Sequence, residues 1–181
     1  KKKKKKKVGS ASIWQRTVRN DSPVHQFMVV LLLSFGGSDI KGSCNFVHTS
    51  RGGLITFHGP GQLVCYPVLN LGCFRKSVRW YVCELERTVI KTCGQFGIEA
   101  STSPDTGVWA GDNKICAIGI HCGRYITSHG LALNCNTDMS WFDNIVPCGI
   151  MELGRDVPTE EAVPKLLEAF TEQFNCTLIY N

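Results

Sequence analysis

The spacing of hydrophobic positions predicts two amphipathic helices. Between Ser77 and Gly94 the apolar residues recur every three or four positions, with Ser77 as the N-cap and Gly94 as the stop. A second stripe of this kind runs from Thr159 to Phe174, and Pro164 is expected to mark its first turn or a kink. The two predicted core faces consist of Val78, Tyr81, Val82, Leu85, Val89 and Cys93, and of Val163, Leu166, Leu167, Phe170 and Phe174.

The remaining apolar runs have the length and composition of strands. FMVVLLLSF at 27–35 predicts a buried strand, and RGGLITFHGPGQLVCYPVLNL at 51–71 predicts two strands around a glycine loop. GVWAGDNKICAIGI at 107–120 indicates a hairpin, and RYITSHGLALNC at 124–135 a strand whose central glycine lets another chain or a ligand approach the backbone closely. Because strands outnumber helices and do not alternate with them, we predict an α+β fold with mixed sheets and flanking helices.

Length and composition indicate one globular domain. The chain has 181 residues, of which 43% are hydrophobic, enough for one core. Residues 1–48 show no sustained period and begin with a run of seven lysines, so we expect an atypical, partly disordered N-terminal segment there. We expect the folded domain to occupy residues 49–181.

Charge and hydropathy argue against nucleic acid and membrane partners. The net charge of +5 depends on the lysine run, since the remaining residues carry 13 basic and 15 acidic side chains. The folded part of the chain is therefore close to neutral and lacks the excess of basic residues that a nucleic-acid-binding surface needs. The run at 27–35 is about half of what a bilayer-spanning helix needs.

Most of the ten cysteines are expected to fill the core. Several stand inside apolar runs such as LVCYPV and KICAIGI, where a thiol behaves as a small hydrophobe, and we expect a reducing compartment. The sequence has no CxxC or HExxH spacing, and no glycine-rich phosphate loop of the GxxxxGK[ST] or GxGxxG type. We therefore predict neither a metal nor a cofactor.

Cys148 differs from the other cysteines because it lies between Pro147 and Gly149, in a loop that follows a strand-like run. A nucleophilic cysteine must be a thiolate, so a cation or a base has to lie beside it. Lys114, His58 and His129 are the candidates. The pattern alone leaves open that Lys114 is an ordinary surface lysine at the start of a strand.

Three segments together resemble the lipoyl(octanoyl) transferase family, and most closely its animal mitochondrial form. RGGLITFHGPGQ is similar to the family's RGGxxT(Y/F)HGPGQ signature, KICAIGI to its lysine-bearing strand, and SHGLALN with NIVPCGI to its downstream pocket and cysteine loop. The resemblance implies that Cys148 forms an acyl thioester and that Lys114 lowers its pKa. It implies a fold shared with the catalytic domains of biotin and lipoate-protein ligases. The substrate-binding residues that it implies are Arg51, Gly52, Gly53, Leu54, Ile55, Thr56, Phe57, His58, Ala117, Ile118, Gly119, His129, Gly130, Leu131 and Ala132.

The resemblance also implies an activity, partners and a compartment. An octanoyl group would pass from octanoyl-acyl carrier protein to a lysine of lipoyl domains, those of 2-oxoacid dehydrogenase E2 subunits and of the glycine cleavage H protein. The compartment would be mitochondrial, with a cytoplasmic location as the alternative. Residues 1–48 and the short segment after Ile150 depart from the family pattern, so the domain is expected to be incomplete. The alternatives are an ATP-dependent lipoate or biotin-protein ligase, and an impaired variant that only binds carrier or lipoyl domains.

Overall fold

The computed structural model describes residues 7–8, 11–19, 26–34, 48–53, 56–137 and 157–179. For residues 7–8, 11–19, 26–34 and 178–179 the description covers backbone and strand pairing. The α+β class is confirmed, with two helices on an antiparallel sheet. The strands are β1 Lys7–Val8, β2 Ala11–Arg19, β3 Gln26–Ser34, β4 Gln62–Val68, β5 Val108–Ala110, β6 Asn113–Gly123, β7 Ile126–Asn134 and β8 Thr177–Ile179; the helices are α1 Val78–Gly94 and α2 Thr159–Gln173.

The described strands form one eight-stranded sheet. Its order is β1-β2-β3-β4-β7-β6-β5, with β8 paired to β2, and every described pairing is antiparallel. β6 and β7 form a hairpin whose two turn residues, Arg124 and Tyr125, have φ of 49° and 64°, the positive values that a type I′ turn requires. β4 lies beside β7, so the glycine loop that precedes β4 and the end of β7 meet at one edge of the described core.

One face of the sheet packs against both helices. Alternate residues of β4, β6 and β7 enter a cluster with the buried faces of α1 and α2, as the period of two in a strand requires. The cluster includes Leu63, Cys65, Cys116, Leu131, Leu133, Tyr81, Leu85, Val89, Leu166 and Phe170. The opposite face of the same strands carries Gln62, Val64, Ala132 and the two central glycines. The candidate site lies on this opposite face.

Both helices have the predicted extents. Ser77 caps α1 by accepting a hydrogen bond at Oγ from the Trp80 amide, at 3.2 Å. α2 begins at Thr159 and contains Pro164, so the expectation that Pro164 marks the first turn is wrong. Val78 is 42% exposed, which removes it from the predicted core face of α1.

Most of the strand predictions are confirmed, and one is wrong. Residues 26–34 form a strand, the hairpin at 108–123 turns at Gly111 and Asp112, and 126–134 form a strand, as predicted, while the burial expected for 27–35 stays a prediction. The strand predicted at the RGGLITF segment is wrong for its described part, because residues 51–53 and 56–57 are irregular. β2 was not predicted, and it lies within the segment 1–48. The division of the chain at residue 48 stays a prediction.

Candidate functional site

The RGG motif lies against the middle of β6 through backbone contacts. The Gly52 amide donates a hydrogen bond to the carbonyl oxygen of Ile120, at 2.9 Å. A Cβ atom added at Gly119 would stand 2.8 Å from the Gly52 carbonyl oxygen and 3.1 Å from Arg51 Cδ. Only glycine at position 119 therefore allows this approach. Leu54 and Ile55 of the same motif lie outside the described residues.

Small residues of β6 and β7 form the floor beneath this motif. Gly119 pairs with Gly130 and Ala117 with Ala132, so the four share one face of the sheet. A Cβ atom at Gly130 would lie 2.3 Å from the Cys65 carbonyl oxygen of β4. The predicted close approach of another backbone to this glycine is therefore confirmed.

Ile118 and Leu131 belong to the other face. Leu131 is 1% exposed in the core cluster, and Ile118 packs against that cluster. The side chains of these two predicted substrate-binding residues point toward the helices, so only their backbone atoms can contribute to a site on the RGG side of the sheet.

Lys114 is buried near the start of β6. Its side chain is 8% exposed, and its Nζ lies 5.1 Å from the centre of the Trp109 ring, which is the geometry of a cation–π contact. No carboxylate among the described residues forms an ion pair with it. The sequence left open that Lys114 is an ordinary surface lysine. Its burial excludes this alternative. Cys148, its predicted partner, lies outside the described residues.

His58 begins a chain of side-chain hydrogen bonds across β4 and β7. Its Nδ1 is 2.7 Å from Gln62 Oε1, and Gln62 Nε2 donates to Asn134 Oδ1, also at 2.7 Å. Gln62 and Asn134 are directly paired in the β4–β7 register and are 2% and 1% exposed. Such a connected chain fixes the position of a ring more firmly than a single hydrogen bond does.

A tyrosine links His58 to the second predicted histidine. The Tyr66 hydroxyl lies 3.4 Å from His58 Nε2, and the Tyr66 ring centre is 5.3 Å from that of His129. His129 has φ of 58°, a left-handed conformation that is uncommon for a residue other than glycine and frequent at functional sites. The structure therefore brings the two predicted histidines together around Tyr66.

The surroundings of His58 favour its neutral form. Partial removal of the ring from water lowers its pKa below the usual 6.5 even though the residue as a whole is exposed, the hydrogen bond to Gln62 opposes this shift, and electrostatic interactions with Arg51 and His129 reinforce it. Burial also raises the pKa of Tyr66, an effect that Arg51 partly offsets. At neutral pH this group therefore consists of an uncharged imidazole and an uncharged phenol.

Seven of the eight described cysteines lie in the core cluster or pack against it, as predicted, whereas Cys83 of the run YVCEL does neither. All eight of them are free thiols, and four are fully buried. Burial raises the pKa of Cys65, Cys93 and Cys135 to about 12, and raises that of Cys116 well above its usual value. These thiols are protonated at neutral pH and cannot serve as nucleophiles.

Gln62, Asn134 and Tyr66 were absent from the residues that the sequence predicted. Gln62 and Asn134 could have been found from the sequence, because Gln62 ends the HGPGQ motif and Asn134 ends SHGLALN. Their contact depends on the register between β4 and β7, which neither motif reveals. Within the described part of the chain there is no cluster of three or more metal-ligating side chains, and no helix there is long and apolar enough to cross a membrane.

The fold is that of protein ligases for lipoate and biotin. A lipoate-protein ligase A structure bound with ATP superposes with a TM-score of 0.60 at 16% identity, over 70% of this chain and 57% of that chain. The biotin protein ligase from Aquifex aeolicus superposes with a TM-score of 0.52 at 18% identity, over 64% of this chain and 54% of that one. Both likenesses confirm the predicted fold.

Sequence comparison places the chain within one family. The family model for the lipoyl protein ligase A/B catalytic domain matches residues 40–171, and the chain belongs to that family. It is 83% identical over 146 residues to the Danio rerio protein "Octanoyl-[acyl-carrier-protein]:protein N-octanoyltransferase LIPT2, mitochondrial". That match covers 76% of this chain and 65% of the relative, so the chain spans less than two thirds of the relative's length.

Proposed function

We propose that this chain is an octanoyltransferase that moves an octanoyl group from acyl carrier protein to lipoyl domains. The observation that carries the proposal is the 83% identity to the Danio rerio N-octanoyltransferase, over 146 residues. The lipoyl domains expected as acceptors are those of 2-oxoacid dehydrogenase E2 subunits and of the glycine cleavage H protein. The Danio rerio relative is a mitochondrial protein by name, which supports a mitochondrial location for this chain.

The proposed reaction has two acyl transfers. The Cys148 thiolate attacks the thioester carbonyl of octanoyl-acyl carrier protein, the carrier's thiol leaves, and an octanoyl-Cys148 thioester forms. The amine of the lipoyl lysine then attacks this thioester, a C–N bond forms, the C–S bond breaks, and the product is an amide. Thioester exchange is nearly isoenergetic and aminolysis is downhill, so neither step needs a nucleotide.

Lys114 is proposed as the cation that makes the thiolate available. A nearby positive charge lowers the pKa of a cysteine. The burial of Lys114 supports this role, because a charge that is shielded from water acts more strongly on a neighbouring group. As the neutral amine, Lys114 would take the proton of the thiol, become the ammonium that stabilises the thiolate, and return this proton to the departing thiolate of the carrier.

The floor of small residues suits an acyl chain. Octanoyl offers about seven apolar carbons, and at roughly 0.8 kcal/mol each their burial contributes about 5–6 kcal/mol. Gly119, Gly130, Ala117 and Ala132 present no large side chain on this face, although Arg51 and Gly52 take the space directly above Gly119. We assign the acyl site to the sequence-predicted residues on this face.

Intact-mass spectrometry tests the proposal. The protein incubated with octanoyl-acyl carrier protein should gain one octanoyl group, and hydroxylamine should remove it. Cys148→Ala should abolish the adduct, whereas Cys83→Ala, a half-buried thiol on α1, should keep it. An adduct that persists in Cys148→Ala, or no adduct on the unmodified protein, would overturn the proposal.

The likeness to a lipoate-protein ligase bound with ATP favours a nucleotide-dependent ligase as the second candidate. Such an enzyme would modify a lipoyl domain with free octanoate and ATP and would tolerate the loss of Cys148. Binding of carrier or lipoyl domain without any adduct would instead identify an impaired variant. The same assay with and without ATP separates these outcomes.

A further inference from the structure

The amide of Gln62 has a hydrogen-bond partner on each side. Gln62 Nε2 donates to Asn134 Oδ1, so Gln62 Oε1 is the atom that faces His58 Nδ1 at 2.7 Å. An amide oxygen can only accept, and therefore His58 Nδ1 must carry the hydrogen. In a neutral imidazole the other nitrogen, Nε2, then has a free lone pair.

The lone pair points to the same side of the ring as Tyr66. The Tyr66 hydroxyl is 3.4 Å from Nε2, which is long for an O–H···N hydrogen bond and leaves Nε2 able to accept from another donor. His58 keeps contact with solvent, while Gln62 and Asn134 are almost fully buried. The amide pair thus forms a rigid support beneath an accessible proton acceptor.

We propose that Gln62, oriented by Asn134, is a positioning residue that holds His58 as the Nδ1–H tautomer, so that Nε2 accepts the proton of the lipoyl lysine during aminolysis. This role rests on the proposed function. The amine nitrogen bonds to the carbonyl carbon of the octanoyl-Cys148 thioester, and the sulfur leaves as a thiolate. One proton of the amine passes to His58 Nε2, from which it returns to solvent.

The charges around His58 are consistent with a base that works at neutral pH. Arg51 and His129, the latter on β7, both interact electrostatically with the ring, and the Tyr66 phenol on β4 lies beside Nε2. Partial desolvation of the ring, the largest effect, and the interactions with Arg51 and His129 lower its pKa below 6.5, which favours the unprotonated ring when the amine attacks. Gln62→Glu would place a carboxylate at Nδ1 and raise that pKa.

The tautomer can be measured without any activity assay. In the full chain labelled with ¹⁵N-histidine, the His58 signals are identified by their loss in His58→Gln. We expect Nδ1 to give the shift of a protonated nitrogen and Nε2 that of an unprotonated one. Gln62→Leu should abolish this preference. An Nε2–H tautomer in the unmodified protein, which the reverse amide orientation would produce, overturns the proposal.

Single-turnover kinetics separate this role from the proposed function. Gln62→Leu should form the octanoyl-Cys148 adduct at the normal rate but transfer the octanoyl group to a lipoyl domain about 10²-fold more slowly. This factor is what a general base usually contributes to a rate. Gln62→Glu should restore much of the rate and move the acid limb of its pH profile to higher pH. Thr88→Val, which removes one buried hydrogen bond on α1, is the control and should leave both steps unchanged. Equal discharge by Gln62→Leu and Thr88→Val overturns the positioning role, whereas an adduct missing from every protein contradicts the proposed function alone.

Discussion

Gly119→Ala tests how the RGG motif is held on β6. The added Cβ would stand 2.8 Å from the Gly52 carbonyl oxygen and 3.1 Å from two atoms of Arg51. The contact with the carbonyl oxygen is shorter than real Cβ contacts, so the motif must shift, and we expect its Gly52–Ile120 hydrogen bond, now 2.9 Å, to weaken. One lost hydrogen bond is worth about 1 kcal/mol, and overpacking costs roughly 1–3 kcal/mol.

The functional effect should exceed the effect on stability. A displacement of about 1 Å in a positioning segment can slow a reaction about 10²-fold. We therefore expect urea unfolding to show a loss of about 1–3 kcal/mol and the rate of octanoyl adduct formation to fall about 10²-fold, measured well below the melting temperature.

Gly94→Ala is the matched control for this variant. No atom lies within 4 Å of a Cβ at Gly94, which is the last residue of α1. Alanine there should be neutral or stabilising by up to about 1 kcal/mol, with an unchanged adduct rate. A Gly119→Ala protein that matches Gly94→Ala in both measurements would refute the proposed docking of the motif.

Three further predictions concern the core, the thiols and pH. Phe170→Ala should lose about 3–5 kcal/mol in urea unfolding, since Phe170 is 2% exposed and stacks on Phe174 with ring centres 4.4 Å apart; a loss under 1 kcal/mol would contradict this packing. Burial raises the pKa of Cys65 to about 12, so mass mapping after alkylation at pH 7 should find Cys65 unmodified while Cys148 reacts; rapid labelling of Cys65 in the folded protein would be inconsistent with the structure. Since the folded-state pKa of His58 is lowered below 6.5, the unfolded chain binds more protons, and stability should fall as pH drops below 6.5; His58→Gln should lose less, and an identical pH dependence of its melting temperature would count against this shift.

Local signals predicted the elements whose determinants lie close together in sequence. α1 follows from its stripe and from the Ser77 cap, and the β5–β6 hairpin follows from its turn residues. Gly130 was expected to admit another backbone, which proved to be that of β4. In each case a few neighbouring residues determine the conformation.

Elements that depend on distant partners were not predictable. β2 has no clear alternation of its own and is defined by its pairing with β3 and β8, the latter about 160 residues away along the chain. The Gln62–Asn134 contact joins residues 72 positions apart through strand register. The irregular conformation of the RGG motif likewise follows from its contact with β6, because its composition alone favours a strand.

Transfer from a preformed acyl-enzyme tests the central claim most directly. The protein is loaded with octanoyl-acyl carrier protein, separated from the carrier and mixed with a lipoyl domain in the absence of nucleotide, and both partners are followed by mass spectrometry. The account predicts that the octanoyl group leaves Cys148 and appears on the lipoyl lysine at the same rate, and that Lys114→Met slows the loading of Cys148. Octanoylation of the domain that requires ATP, or that proceeds while the Cys148 adduct remains intact, would contradict it.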